Sequence, residues 1–212
     1  MIRKTGKFVT LEGIEGVGKS SNMDVIEETL RHHGIPSVLT REPGGTVVSE
    51  RVRELLLDRE TTMSPMTELL LMFAARVQHV EGLIKPALAT GSWVICDRFT
   101  DSTYAYQGGG RAIDPRRIEQ LEDIALAGFQ PDITIVLDVP VELGMSRAGQ
   151  RSEQDRFEQE DLAFFERARA VFLERAASHE RYHVIDASSN LGSVNDQVAL
   201  VIENAVEAAR ES

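Results

Sequence analysis

Along the chain the period of the apolar positions switches repeatedly between that of a strand and that of a helix. Residues 7–12 (KFVTLE) read as a short strand. After a glycine-rich turn, residues 19–33 carry apolar positions at Met23, Ile26 and Leu30, the spacing of one helix face, until Gly34 stops them. Residues 36–40 form a second strand candidate, followed by the turn Glu42-Pro43-Gly44-Gly45 and a helix over 47–57. Ser64-Pro65 opens a long helix reaching Leu88. Its apolar run Leu69, Leu70, Leu71, Met72 and Phe73 is expected to lie across the core rather than on its rim.

Residues 93–96 give a third strand that ends in Asp97-Arg98, and Asp114-Pro115 caps a helix carrying Ile118, Leu121, Ile124 and Ala125. The β-branched run 133–137 (ITIVL) reads as a strand buried on both faces. Pro140 starts a helix to Arg147, a stretch rich in Arg, Gln and Glu continues to Glu160, and a helix covers 162–177. A fifth strand spans 182–185 and a last helix 193–210. Such alternation predicts an α/β fold with a mainly parallel sheet wrapped by helices on both faces, and ligands where loops leave the carboxyl ends of the strands.

At 212 residues the chain suits one domain, residues 1–212, and neither a repeat nor a linker divides it. The longest apolar run is far shorter than a membrane span needs, and the start lacks a signal-peptide core, so the chain reads as soluble and cytoplasmic. Lys and Arg number 23 against 34 Asp and Glu, a net charge of −11. That field disfavours nucleic acid and anionic membranes as partners, so an anionic ligand has to meet locally concentrated arginines. A single cysteine, Cys96, excludes an internal disulfide and offers no zinc cluster, and the histidines never fall in an HExxH spacing.

The segment Gly13-Ile14-Glu15-Gly16-Val17-Gly18-Lys19-Ser20 fits GxxxxGK(S/T), between a strand and an amphipathic helix as that motif requires. Its glycines let backbone N–H groups curl around a triphosphate, with Ser21 continuing the helix start. Lys19 spans the outer phosphates and Ser20 offers an oxygen to Mg²⁺. Asp97, at the end of a central strand, is placed to hold magnesium directly or through water, or to cap a helix. Arg41 and Arg98 each follow a strand and emerge on the same sheet edge as Lys19, where planar guanidiniums can clamp a second phosphate. No asparagine is followed by lysine, so the NKxD-type guanine reader of a GTP switch is missing.

Further segments carry a resemblance over nearly the whole chain: Thr40-Arg41-Glu42-Pro43-Gly44-Gly45-Thr46, Ala74-Ala75-Arg76, Asp97-Arg98-Phe99, Tyr104-Ala105-Tyr106-Gln107-Gly108 and Asp155-Arg156-Phe157-Glu158. Together with the P-loop they make the chain similar to the thymidylate kinases, which phosphorylate dTMP to dTDP with MgATP. The resemblance implies a P-loop NTPase fold with a central five-stranded parallel sheet, and a homodimer to whose interface the stretch 69–73 contributes. It implies that Glu15 faces the deoxyribose 3′-hydroxyl and that Arg41 and Arg98 hold the acceptor phosphate. Arg76, Thr103 and Gln107 would lie at the thymine, Ser102 among the substrate-binding residues, and Tyr106 beneath the sugar, where it excludes a 2′-hydroxyl.

The family places a catalytic arginine either in the P-loop or in a lid. Gly16 stands at the P-loop position, so the resemblance assigns the charge to a lid over 147–160, with Arg151 as first candidate and Arg147 and Arg156 after it. The family's base-stacking phenylalanine corresponds to Met72, with Phe73 one residue on. Positions three and four residues before Arg76 share a helix face, so either can cover the base, with Phe73 favoured for its π-face.

Overall fold

In a computed structural model, residues 6–149 and 156–211 are described. Strand β1 (Phe8–Glu12) leads into α1 (Lys19–His32), then β2 (Ser37–Arg41), α2 (Val47–Leu57) and α3 (Pro65–His79). A π-helical turn, Val80–Ile84, continues into α4 (Lys85–Ala89), followed by β3 (Trp93–Asp97), α5 (Thr100–Thr103) and a second π-helical segment, Tyr104–Gly110. The chain ends through α6 (Pro115–Leu126), β4 (Ile133–Asp138), α7 (Val141–Ala148), α8 (Leu162–Ala176), β5 (Tyr182–Asp186) and α9 (Leu191–Glu211). No helix among the described residues is long and apolar enough to cross a membrane.

The five strands form one parallel sheet, as the alternation of elements predicts, and their order, β2-β3-β1-β4-β5, comes from the structure. Its central strands are apolar because both faces are covered: Val9 and Leu11 enter the larger core, whereas Phe8 joins Val94, Cys96, Phe99 and Leu126 on the other side. In α9, Val194, Val198, Ile202 and Val206 are buried at every fourth position, forming a stripe toward the larger core and α1. Each strand finishes on a charged residue, Glu12, Arg41, Asp97, Asp138 or Asp186, so charge collects along the carboxyl edge. The order reverses direction at β1, and that crevice is where such sheets receive ligands.

Two expectations need correction. The helix expected to run unbroken to Leu88 contains the π-helical turn, and Pro86, which lacks an N–H, stands at the start of α4 just after it. The apolar run in α3 does not lie across the core as a whole: Leu69 and Phe73 are buried, Leu71 and Met72 are half-buried, and Leu70 is 49% exposed. Consecutive helical residues are ~100° apart, so five in a row cannot share one face. The helical stretch from Thr100 to Gly110 has no counterpart in the sequence reading. Its glycines serve contact with α8: a Cβ at Gly110 would lie 2.3 Å from the Phe164 ring, and Arg167 of α8 donates to the Gly109 and Gly110 carbonyls.

Glu12 ties the end of β1 to the turn after β3. Fully buried, it accepts hydrogen bonds from the Phe99 amide at 2.7 Å and the Ser102 hydroxyl at 2.6 Å. Burial above all, reinforced by the neighbouring Asp101 carboxylate, pushes the Glu12 carboxyl up to about 7 from its ordinary 4.5, although Ser102, Arg98 and the Phe99 amide pull the other way. Between those two values the folded chain binds more proton than the unfolded chain, so Glu12 makes stability fall as pH rises through that window. A Glu12→Gln substitution removes this titration. The difference in Tm between the variant and the parent is therefore expected to shift in the variant's favour from about pH 5 to about pH 8. A difference that stays constant over that range would show that Glu12 does not titrate in this way.

Candidate active site

The loop from Gly13 to Gly18 curls between β1 and α1, anchored in the core by buried Ile14 and Val17. Gly16 adopts φ +73°, and a Cβ there would lie 1.9 Å from the Gly144 carbonyl oxygen of α7. The approach is mutual, since a Cβ at Gly144 would come within 2.6 Å of the Glu15 carbonyl oxygen. Position 16 therefore has room for no side chain. Lys19 opens α1, where the helix dipole favours an anion. Its Nζ folds back to donate to the Gly13 and Ile14 carbonyls at 3.2 and 3.1 Å. Ser20 and Ser21 follow on the exposed first turn.

Arg98 joins this loop to the rest of the cleft. It sits just beyond β3 with φ +72°, an uncommon conformation for a residue with a side chain. Its guanidinium donates to the Gly13 carbonyl at 2.9 Å, the Ser102 hydroxyl at 3.2 Å and the Glu15 carboxylate at 2.6 Å. It also lies over the Tyr106 ring, 5.0 Å from the centroid, while the Tyr106 hydroxyl donates to Glu15 at 3.2 Å. Burial alone would push the Glu15 carboxyl up, but Arg98 and Lys19 outweigh it and leave Glu15 below its ordinary value. Burial, and then the charge of Arg98, lowers Lys19 against the carboxylates around it.

On the far side of the cleft Arg76 is 3% exposed. Its Nε donates to Glu42 at 2.6 Å and its Nη2 to the Phe99 carbonyl at 3.0 Å, with the Phe73 and Phe99 rings 5.1 and 5.3 Å from the guanidinium carbon. Nη1 is left buried with no partner among the described residues. Such an orphan donor costs of order 1–3 kcal/mol unless something accepts from it, so Arg76 is built for a ligand acceptor. Glu42 is itself held by His79 Nδ1 at 3.0 Å, and His79 Nε2 meets the Thr40 hydroxyl at 2.7 Å.

One cleft gathers Glu15, Gly16, Val17, Gly18, Lys19 and Ser20 of the loop with Arg41, Met72, Arg76, Asp97, Arg98, Ser102, Thr103, Tyr106 and Gln107. Phe73 is not among its lining: the ring packs with Leu69, Tyr104 and Ile118. Arg147 is directed elsewhere and donates to the Ala187 carbonyl at 2.8 Å, and Arg156 donates to Glu68 and the Leu56 carbonyl. Arg151 and Asp155 lie outside the described residues. Arg41 lines the cleft but is half-exposed and paired with Glu50 at 2.9 Å. The cleft also takes in Glu42, Arg53, Leu57, Phe99 and Phe157, to which the sequence reading gave no role, although several fall inside the quoted segments. Five of its side chains are cationic, the local concentration that an acidic chain needs to hold a polyanion.

Among the described residues no group of three or more His, Cys, Asp or Glu could cage a metal ion. The arrangement suits Mg²⁺ all the same, because that ion keeps phosphate and water oxygens and takes only one or two protein ligands. Asp97 Oδ1 is buried at the cleft with no hydrogen-bond partner among the described residues, and Ser20 stands on the exposed turn beside Lys19.

A loop for one polyanion, further cations in the same cleft and a fixed, unsatisfied donor beyond them suit a site for two phosphorylated ligands. Known proteins agree. The profile of the family "Thymidylate kinase" matches residues 11–198. A thymidylate kinase of Pseudomonas fluorescens (strain SBW25) is 54% identical over 208 residues, covering 97% of this chain and 99% of the relative. One of Alcanivorax borkumensis is 52% identical over 201 residues, covering 94% and 97% respectively. The crystal structure of thymidylate kinase from Ehrlichia chaffeensis superposes with a TM-score of 0.75 at 35% identity, over 96% of this chain and 99% of that one. The chain belongs to the thymidylate kinase family.

Proposed function

We propose that this chain transfers the γ-phosphoryl group of ATP to the 5′-phosphate of dTMP, giving dTDP and ADP on the way to dTTP. The observation that carries the reading is Arg98, which contacts the P-loop carbonyl of Gly13 and Glu15 while facing the cleft that Arg76, Thr103 and Gln107 line. The P-loop amides and Lys19 take the ATP phosphates. Ser20 and Asp97 would hold Mg²⁺, which when bound with ATP would neutralise part of the phosphate charge.

Arg41 and Arg98 receive the acceptor phosphate, Glu15 accepts from the sugar 3′-hydroxyl, and the Tyr106 ring fills the space of a 2′-hydroxyl. At the base, Arg76 Nη1 offers its donor to a carbonyl oxygen and Met72 covers one face. The acceptor oxygen is already anionic at neutral pH, so no general base is required. Positioning and the relief of repulsion between two polyanions do the catalytic work. The reading carries with it a cytoplasmic location and a homodimer; exposed Leu70 of α3 and exposed Val48 and Leu55 of α2, which packs against α3, support the homodimer.

With a coupled ADP-release assay across dTMP, dUMP, dCMP, dAMP and dGMP, dTMP is expected to give the highest kcat/KM. A purine nucleotide matching it would overturn the assignment. Lys19→Ala is expected to lower kcat by about two orders of magnitude or more with an unchanged circular dichroism spectrum, because a phosphate-neutralising charge is lost at the start of α1 while alanine keeps the helix. Near-parental turnover would remove Lys19 from the mechanism.

The transferred group needs a further cation. Gly16 has no room to supply one, and Arg147 and Arg156 are engaged elsewhere, which supports Arg151 in the 147–160 lid. Arg151→Ala should therefore cut kcat with little change in KM for dTMP, the signature of an interaction made in the transition state. Arg151→Lys should recover only part of the rate. Full kcat in Arg151→Ala would show that this residue is not the catalytic cation.

A further inference from the structure

Glu68 belongs to none of the motifs, yet it is one of the most completely enclosed carboxylates in the chain, 1% exposed on the first turn of α3. Its Oε1 accepts from Gln107 Nε2 at 2.8 Å and from Arg111 Nε at 3.4 Å, and its Oε2 accepts from Arg156 Nη2 at 2.7 Å. Arg111 is paired on its other side with Glu160. Arg156 is fixed further by its Nε, which donates to the Leu56 carbonyl at 2.9 Å, and by the face of Phe157. Two guanidiniums and two carboxylates thus balance in a cluster that is mostly out of water, where removal of one partner is costly.

The position of Gln107 in this cluster has a chemical consequence. A carboxamide carries two donors at one end and an acceptor at the other, and crowding decides which end faces which neighbour. An ionised carboxylate has only acceptors. With Glu68 behind it, Gln107 has to turn its NH₂ inward, and the atom it retains for the cleft is the carbonyl oxygen. A carbonyl oxygen at that wall suits a pyrimidine whose ring N3 carries a proton, as in thymine and uracil. It repels cytosine, whose N3 is a lone pair.

We propose that Glu68 is a positioning residue for base selection: it locks the Gln107 carboxamide with its acceptor toward the cleft, while Arg111 and Arg156 hold the Glu68 carboxylate in place. The inference rests on the reading of the cleft as the dTMP site. A buried site that leaves a polar group mispaired discriminates strongly, so the orientation of one amide is enough to set a preference.

The test compares saturation kinetics for dTMP and dCMP with MgATP in the parent, Glu68→Gln, Gln107→Ala, the double variant Glu68→Gln/Gln107→Ala and the exchange Glu68→Gln/Gln107→Glu. Glu68→Gln frees the Gln107 amide to flip, so the ratio of kcat/KM for dTMP over dCMP is expected to fall at least about tenfold, chiefly through KM for dTMP. In the Gln107→Ala background the same change should leave the ratio where Gln107→Ala alone puts it. The exchange returns a carboxylate to the cluster with an oxygen facing the cleft, and the ratio should recover.

An unchanged ratio in Glu68→Gln overturns the proposal, as does an equal further fall in the Gln107→Ala background. If Glu68→Gln does not fold, Gln107→Ala, which keeps Glu68 paired with both arginines, decides: the parental ratio there overturns the proposal. A reduced ratio there that the exchange restores supports it. A parent enzyme with no preference for dTMP over dCMP would instead refute the proposed function itself.

Discussion

The cleft depends first on Arg98. A residue with a Cβ held at φ +72° costs roughly 1–2 kcal/mol of local strain, which persists only where the surroundings over-determine it. Here they do. The guanidinium is bound to the Gly13 carbonyl, Ser102 and Glu15 and lies against Tyr106, while Glu12 holds the following turn through the Phe99 amide and the Ser102 hydroxyl. The P-loop, the end of β3 and the start of α5 are therefore measured from one side chain. On the proposed reading, an error in its placement would move the donor and acceptor phosphates relative to each other, which in-line transfer does not tolerate.

A second regularity is that three of the five cleft cations arrive with carboxylates already attached: Arg98 with Glu15, Arg76 with Glu42, Arg41 with Glu50. Each acid restricts the arginine to a few orientations and leaves defined donors for a ligand. The site then spends little side-chain entropy on binding. This arrangement reconciles a net charge of −11 with a polyanion site, because the acidic excess is used in part to aim the positive charge.

Most of the framework was legible in the chain because it rests on local physics. β-branched runs marked the strands, Gly34 ended α1, Asp114-Pro115 opened α6, and the glycine-rich loop lay between strand and helix as its chemistry requires. The stretch from Thr100 to Gly110 was not legible. Threonine, serine and successive glycines argue against a helix, and only packing under α8 makes those glycines useful. Periodicity left Met72 and Phe73 undecided. Their neighbours separate them, since Met72 lines the cleft while the Phe73 ring enters the core beneath Arg76. Glu12, Glu42 and Glu68 escaped because composition counts an acid as surface, and only the fold shows that each is enclosed by donors far away in sequence.

The contact between Gly16 and Gly144 bears on how this chain can change over generations. Two backbones meet there with no space for a methyl group on either side, although the residues lie in different elements. Neither position can accept a side chain while the other segment stays in place, so an arginine at position 16 is not one substitution away. Helix α7 would first have to retreat from the loop, and each intermediate on that route would have to remain folded.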